Sequence, residues 1–219
     1  MAEIKPRWEW RSFGERFGPA EAHIAKLAPT GVQESDELYL LSGAGANVKV
    51  RDALMDIKVL RELNAGGLEQ WTPVMKGSFP LPAATVAQVL QALGLPLPSP
   101  VPDTLTQDDF MARFAAPGGS VRAVPVHKRR VRYLIGGCTA ELSEVTAEGR
   151  GTRTLAVESE DAAAVMAAVR SLGLGGWVNT SYPRGLAALV DGSAERYAVI
   201  DAGTNSIKFI VAEATAGGA

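Results

Sequence analysis

The sequence predicts an α+β protein built on a closed or nearly closed antiparallel β-barrel, with helices packed outside it. Three observations support this prediction. Most of the chain consists of short segments in which polar and apolar residues alternate, as they do in β-strands. Only a few segments have the spacing of amphipathic helices. The strand-rich segments also form two roughly matched halves, separated near residues 95–104 by a proline-rich connector.

The first half is predicted to begin with a strand over residues 7–12, where charged and aromatic side chains alternate. A helix over 19–28 follows a proline, which is favoured in the first helical turn. A second helix over 85–95 has a glycine near its end. Alternating segments between turn-forming residues predict four more strands in this half, at 35–43, 46–54, 54–63 and 67–81.

The second half has a similar pattern of strands and helices. A helix over 107–115 follows Thr106, a residue type that caps helices. Asp161 opens a clear helix over 161–174 that is closed by glycine. Strands are predicted at 124–135, 138–147 and 152–160, and a strand, a tight turn and another strand at 196–213.

Composition limits the possible classes of protein. The 219 residues carry a net charge of −2, so anion binding must come from local clusters of cations rather than from the overall field. The single cysteine, Cys138, excludes an internal disulfide framework and fits a reducing compartment. The amino terminus has no apolar signal core, and no stretch approaches the length of a membrane span. We therefore expect a cytoplasmic protein without a membrane partner.

Several predicted strands carry charge on one face and apolar residues on the other. In VHKRRVRY, residues 126–133, the alternation places Lys128, Arg130 and Arg132 on a common face. An ordinary sheet shows such a pattern when its polar face meets water. A closed barrel of about eight strands could instead turn the charged faces inward around one small ligand. The same pattern recurs at Arg7, Glu9, Arg11, Lys49, Arg51, Asp56, Lys58, Glu141, Glu158 and Glu160.

The order of these motifs resembles the CYTH family, the triphosphate tunnel metalloenzymes. That family has an ExExK strand, a VRxR-like strand, a strand ending in Lys, a K-x-R strand, an acidic ExE strand and a short Ser/Lys segment. The similar segments here are RWEWR (7–11), VKVR (48–51), DIKVL (56–60), HKRRVR (127–132), AVESE (156–160) and NTSYPRGL (179–186).

The resemblance implies hydrolysis of inorganic triphosphate, polyphosphate or a nucleoside triphosphate with Mg²⁺ or Mn²⁺, and it gives the residues above roles. Glu158 and Glu160 would be the catalytic carboxylates, one of them orienting the attacking water. The implied phosphate ligands are Arg11, Lys49, Arg51, Lys58, Lys128, Arg130 and Arg132. The implied metal ligands are Glu9, Glu141, Glu158 and Glu160, with Glu69 as a further candidate.

The sequence departs from the family pattern at the residues that would hold the metal. Arg7 stands where the family has Glu, Arg11 replaces Lys, and Ser143 stands where Asp is usual. The segment 179–186 lacks the usual Lys and offers Thr180 and Tyr182. A lost carboxylate and a gained cation should weaken metal binding and strengthen anion binding, which is what a binding module would show.

A second resemblance covers the carboxyl-terminal segment. Residues 198–213, AVIDAGTNSIKFIVAE, are similar to the opening hairpin of the exopolyphosphatase/guanosine pentaphosphatase family. In that family the loop approaches phosphate, and here it would be formed by Asp201, Gly203, Thr204, Asn205 and Ser206. We therefore expect a tunnel domain over 1–190, followed over 191–219 by a linker and the first hairpin of an incomplete second domain.

Two functions from different classes follow. One is a metal-dependent phosphohydrolase that acts on triphosphate or polyphosphate inside the tunnel. The other is a non-catalytic module that binds polyphosphate and supplies it to a downstream exopolyphosphatase domain. Nucleic-acid binding through residues 127–132 is disfavoured, because it requires exposed basic and aromatic residues together and the acidic strands oppose it. The sequence leaves a homodimer open.

Overall fold

The computed structural model describes residues 5–192 and, as backbone, two further strands at Glu195–Gly203 and Ser206–Ala214. Eight strands form a closed antiparallel barrel, as predicted. They are β1 (Arg7–Gly14), β2 (Gly31–Leu41), β3 (Asn47–Arg51), β4 (Leu54–Leu63), β5 (Glu69–Ser78), β8 (Arg122–Ile135), β9 (Cys138–Ala147) and β10 (Arg150–Ser159).

The barrel closes because β1 pairs with a strand from each half of the chain. The strand order is β1-β10-β9-β8-β2-β3-β4-β5, and β1 pairs with β5 as well as β10. The other described elements are α1 (Pro19–Ile24), β6 (Leu81–Pro82), α2 (Ala83–Leu93), β7 (Thr104–Leu105), α3 (Gln107–Phe114), α4 (Ala162–Ser171), α5 (Tyr182–Asp191), β11 (Glu195–Gly203) and β12 (Ser206–Ala214). None of the described helices is long and apolar enough to cross a membrane.

The apolar faces of β1, β3, β4, β9 and β10 point outward and are covered by helices. One cluster packs β1, β9 and β10 against α1 and α4, with Trp10 and Val169 at its centre. A second packs β3 and β4 against α2 and α3, with Ile57 and Phe110 among its buried residues. Burial of these faces fixes the register of the alternation, because a shift of one residue would exchange core and charged side chains. The opposite, charged faces of these strands therefore point into the barrel.

Helix α5 was not predicted from the sequence, and it fills one end of the barrel. Leu186 and Val190 pack against Val124 and Val145, which lie on the same strand faces as the inward-pointing charged residues. The sequence does contain helix signals here. Ser181 caps the first turn by accepting a hydrogen bond from the Arg184 backbone N–H, and the helix ends at a left-handed glycine.

Helix α1 is shorter than predicted, ending at Ile24 rather than continuing to residue 28. Pro29 accounts for part of this difference, because a proline disfavours helical geometry in the residue before it. Strand β2, in contrast, begins at Gly31, four residues before the predicted start. The early start of β2 lets it pair with β8 from Gly31↔Arg132 onward, which gives these two strands a long shared edge.

Close packing of α5 makes Gly185 sensitive to substitution. A Cβ atom at position 185 would overlap the ring of Phe13 on β1. We expect Gly185→Ala to lower the free energy of unfolding by about 1–3 kcal/mol, the usual cost of overpacking, as measured by chemical denaturation. Gly175→Ala is the matched control, because no atom lies within 4 Å of the added methyl group. Equal stability of the two variants would show that α5 does not seat tightly in the barrel.

Candidate anion-binding site inside the barrel

The alternating cations of β8 lie inside the barrel. Lys128 and Arg130 are only 3% and 7% exposed, whereas His127 and Arg129 between them point outward into solvent. The nucleic-acid interpretation required an exposed basic strand face, and burial of these two residues removes that support. A row of like charges inside a barrel requires counter-charges or a bound anion, so the other side chains of the interior decide its chemistry.

A cavity of about 400 Å³ occupies this interior. Among the described residues, seven cations and four carboxylates line it, together with Tyr39 and Tyr182. The cations are Arg7, Arg11, Lys49, Lys58, Lys128, Arg130 and Arg132, and the carboxylates are Glu9, Asp56, Glu141 and Glu158. The excess of cations makes the cavity suited to an anion, because ammonium and guanidinium groups donate charge-assisted hydrogen bonds to phosphate oxygens.

Three of the residues proposed from the sequence, Glu160, Arg51 and Glu69, do not line this cavity. Glu160 follows the end of β10, is exposed and pairs with Lys5, so its side chain does not face the interior. The prediction that it shares the Glu158 face inside the barrel is wrong, because β10 ends at Ser159 and the alternation stops there. Arg51 lies at the end of β3 and lines a second cavity of about 470 Å³.

Glu37 on β2 was missed in the sequence and lies at the centre of the cation cluster. Its side chain is fully buried. Its carboxylate accepts hydrogen bonds from Arg130 at 2.7 Å, Tyr39 at 2.8 Å and Lys49 at 3.1 Å. Arg51 lies 3.3 Å away. The Lys128 ammonium lies 3.5 Å from the same carboxylate.

This environment shifts the pKa values of both the Glu37 carboxyl and the Lys128 ammonium. Burial alone would raise the pKa of the Glu37 carboxyl, but Lys128 and Lys49 hold it well below its usual range. Burial lowers the pKa of the Lys128 ammonium to about 7, and Glu37 only partly opposes this effect. A buried lysine with such a depressed pKa gains charge readily when an anion approaches it. We therefore expect anion binding in the cavity to depend on pH through Lys128.

Three of the four carboxylates that line the cavity, Glu9, Glu141 and Glu158, are paired with arginines. Glu9 accepts a hydrogen bond from Arg11 at 2.7 Å. Although burial would raise the pKa of Glu9, Arg11 and Lys58 lower it below its ordinary value. Glu141 lies 3.8 Å from both Arg130 and Arg132.

The predicted divalent metal fits these side chains poorly. Among residues 5–192, no three His, Cys, Asp or Glu side chains are grouped so that they could hold a metal ion. Glu9 and Glu158 face each other across β1 and β10, but Arg7 lies 3.6 Å from Glu158, where the family resemblance implies a third carboxylate. Glu69 is buried and paired with Arg184 and the Trp71 indole. The cations outnumber the carboxylates in the cavity lining, so these side chains suit an anion better than a metal ion.

The carboxyl-terminal hairpin predicted from the sequence is described only as backbone. Strands β11 and β12 pair antiparallel from Glu195↔Ala214 to Gly203↔Ser206. Thr204 and Asn205, two of the predicted phosphate-loop residues, lie outside the described residues. The resemblance to an exopolyphosphatase hairpin therefore stays a prediction.

No family model matches the chain, and no curated protein matches it. Solved structures similar to it include a conserved hypothetical protein from Pyrococcus furiosus, with 15% identity over 81% of this chain and 98% of that one, at a TM-score of 0.47. A putative adenylyl cyclase from Hippeastrum, described as having a dominant triphosphatase activity, is 13% identical over 85% of this chain and 96% of its own, at a TM-score of 0.46. A putative adenylate cyclase from Bacillus halodurans is 10% identical over 81% of this chain and 96% of its own, at a TM-score of 0.45.

Proposed function

We propose that the barrel binds inorganic triphosphate, or the end of an inorganic polyphosphate chain, in its basic cavity. The observation that carries this proposal is the set of seven cations that line one cavity. Linked phosphates present several charged oxygens along a line, so one ligand can contact cations from β1, β3, β4 and β8 together. Arginines in this set can each bind two oxygens of one phosphate group.

An inorganic ligand is favoured over a nucleoside triphosphate. Within the described lining of the cavity, the aromatic side chains are Tyr39 and Tyr182, and both are buried. Their rings stack on each other with centroids 4.8 Å apart. The Lys128 ammonium covers the Tyr182 ring at 4.1 Å. These rings therefore offer little free surface on which a base could stack.

Binding without chemistry is the form of this function that the donor set supports best. The cavity carboxylates Glu9, Glu141 and Glu158 each lie within ion-pair distance of an arginine, so none is a free ligand for a metal ion. If the carboxyl-terminal hairpin belongs to a polyphosphate-degrading domain, the barrel would raise the local concentration of polyphosphate for that domain. Tethering alone supplies this benefit.

Hydrolysis of the same ligand is the second candidate, and Glu158 is the residue that favours it. Its side chain lines the cavity and is 31% exposed, and its ion pair with Arg7 is long at 3.6 Å. A carboxylate in this position can accept a hydrogen bond from a water molecule beside a bound phosphate. Glu160 no longer shares this role, since it lies outside the cavity.

The test combines calorimetric titration of tripolyphosphate with an assay for released phosphate, each in EDTA and in Mg²⁺ or Mn²⁺. We expect saturable binding in EDTA and no release above a protein-free blank. Absence of binding under every condition would overturn the proposed function. Release that requires the metal and is lost in Glu158→Gln would replace the binding module by the hydrolase.

A further inference from the structure

The barrel already contains an anion of its own. Within the described part of the chain, four cations and two hydroxyl groups surround the Glu37 carboxylate. These neighbours are Lys49, Arg51, Lys128, Arg130, Tyr39 and Ser35. This number and type of donor groups is what a phosphate group requires. The carboxylate thus occupies a position in which a single small anion would otherwise bind.

Three of these cations are shared with the open cavity. Lys49, Lys128 and Arg130 contact Glu37 and also line the space beside it. A ligand in the cavity meets groups whose charge Glu37 has partly neutralised, and the Glu37 carboxylate repels it. A single phosphate therefore gains little from these three cations.

A chain of linked phosphates can bind despite the repulsion by Glu37, because it extends further than a single phosphate. Arg11, Lys58 and Arg132 line the same cavity and do not contact Glu37. Terminal oxygens can approach the cluster around Glu37 while the following phosphates reach these outer cations. Each added phosphate brings new charge-assisted hydrogen bonds at no further cost from Glu37.

We infer that Glu37 is a specificity-determining residue that excludes single phosphates and makes the barrel select anions with two or more linked phosphates. This inference rests on the proposed function. Glu37 acts through charge and through the position that it occupies, and it also orients Lys49, Lys128 and Arg130 toward the cavity. Lys128 and Lys49 hold the pKa of the Glu37 carboxyl well below its usual range, which favours the charged form of this side chain.

The experiment compares orthophosphate, pyrophosphate and tripolyphosphate in titrations at constant ionic strength. Wild-type protein should bind tripolyphosphate far more tightly than orthophosphate. In Glu37→Gln the orthophosphate affinity should rise about tenfold or more, because a repelling charge is removed, and the tripolyphosphate-to-orthophosphate ratio should fall accordingly. Glu34→Gln is the matched control, since Glu34 lies on the same strand but on its exposed outer face. It should leave the ratio unchanged.

A ratio in Glu37→Gln equal to that of wild type would overturn the inference while leaving the proposed function intact. If wild-type protein binds no tripolyphosphate but Glu37→Gln gains orthophosphate binding, the proposed function and the selection of linked phosphates both fail, and only the exclusion of single phosphates by Glu37 stands. Removing the carboxylate leaves four cations without their shared partner and could prevent folding. Glu37→Asp then decides the matter: it keeps the charge and withdraws it by one methylene, so the ratio should fall by less, and an unchanged ratio would again overturn the inference.

Discussion

Replacement of Arg130 by alanine is expected to weaken tripolyphosphate binding by about 10- to 150-fold, the loss of one hydrogen bond between charged groups worth about 1.5–3 kcal/mol. Arg130 is buried, lines the cavity and donates to Glu37 at 2.7 Å. The free energy of unfolding should fall by a similar amount, about 1.5–3 kcal/mol, because Glu37 loses one of its partners. Calorimetric titration and chemical denaturation measure the two effects separately.

Arg129→Ala provides the matched control for this prediction. Arg129 is the adjacent residue on β8, has the same chemistry and points outward, where it lies 3.9 Å from Glu144 in solvent. Its removal should change both affinity and stability by no more than about 0.5 kcal/mol, as is usual at exposed positions. If Arg129→Ala weakens binding as much as Arg130→Ala does, the ligand binds on the outer face and the cavity is not the site.

The alternation of charge along the strands supported the prediction of a barrel and grouped many of the side chains that line its interior. Residues 128 and 130 are a clear example, because their neighbours at 124 and 126 are apolar and occupy the same inward face. What alternation could not supply was the direction of each face, since a polar face toward water gives the same pattern. Burial of the opposite faces of β1, β3, β4, β9 and β10 under α1, α2, α3 and α4 settles that question for those strands, and it depends on the whole fold.

Glu37 illustrates what local sequence cannot show. Ser35, Glu37 and Tyr39 do alternate on one face of β2, so its inward position was available from the sequence. Its role depends on Lys128 and Arg130, which lie about ninety residues away along the chain. The interpretation of Glu160 failed for a related reason: the strand ends one residue before it, and strand ends are set by tertiary pairing.

Binding of tripolyphosphate should weaken as pH rises above about 7, by up to about tenfold per pH unit, because of Lys128. The buried Lys128 ammonium has a pKa of about 7 in the unliganded protein. A bound phosphate favours the charged form and raises this pKa, so above pH 7 the protein must take up a proton when it binds. Below pH 7 the lysine is already charged and contributes no pH dependence. Titrations in buffers of different ionisation enthalpy measure the proton uptake directly.

Lys128→Arg is the control, because an arginine stays charged throughout this range. Its binding should follow only the titration of the ligand itself, without the additional loss above pH 7.

Stability should change in the opposite direction from binding. The pKa of Lys128 is lower in the folded protein than in the unfolded chain, so the unfolded chain holds more protons between about pH 7 and 10. The free energy of unfolding of the unliganded protein should therefore rise across that window, by up to about 1.4 kcal/mol per pH unit. A wild-type protein whose affinity and stability follow those of Lys128→Arg at every pH would show that Lys128 is already charged in the empty barrel.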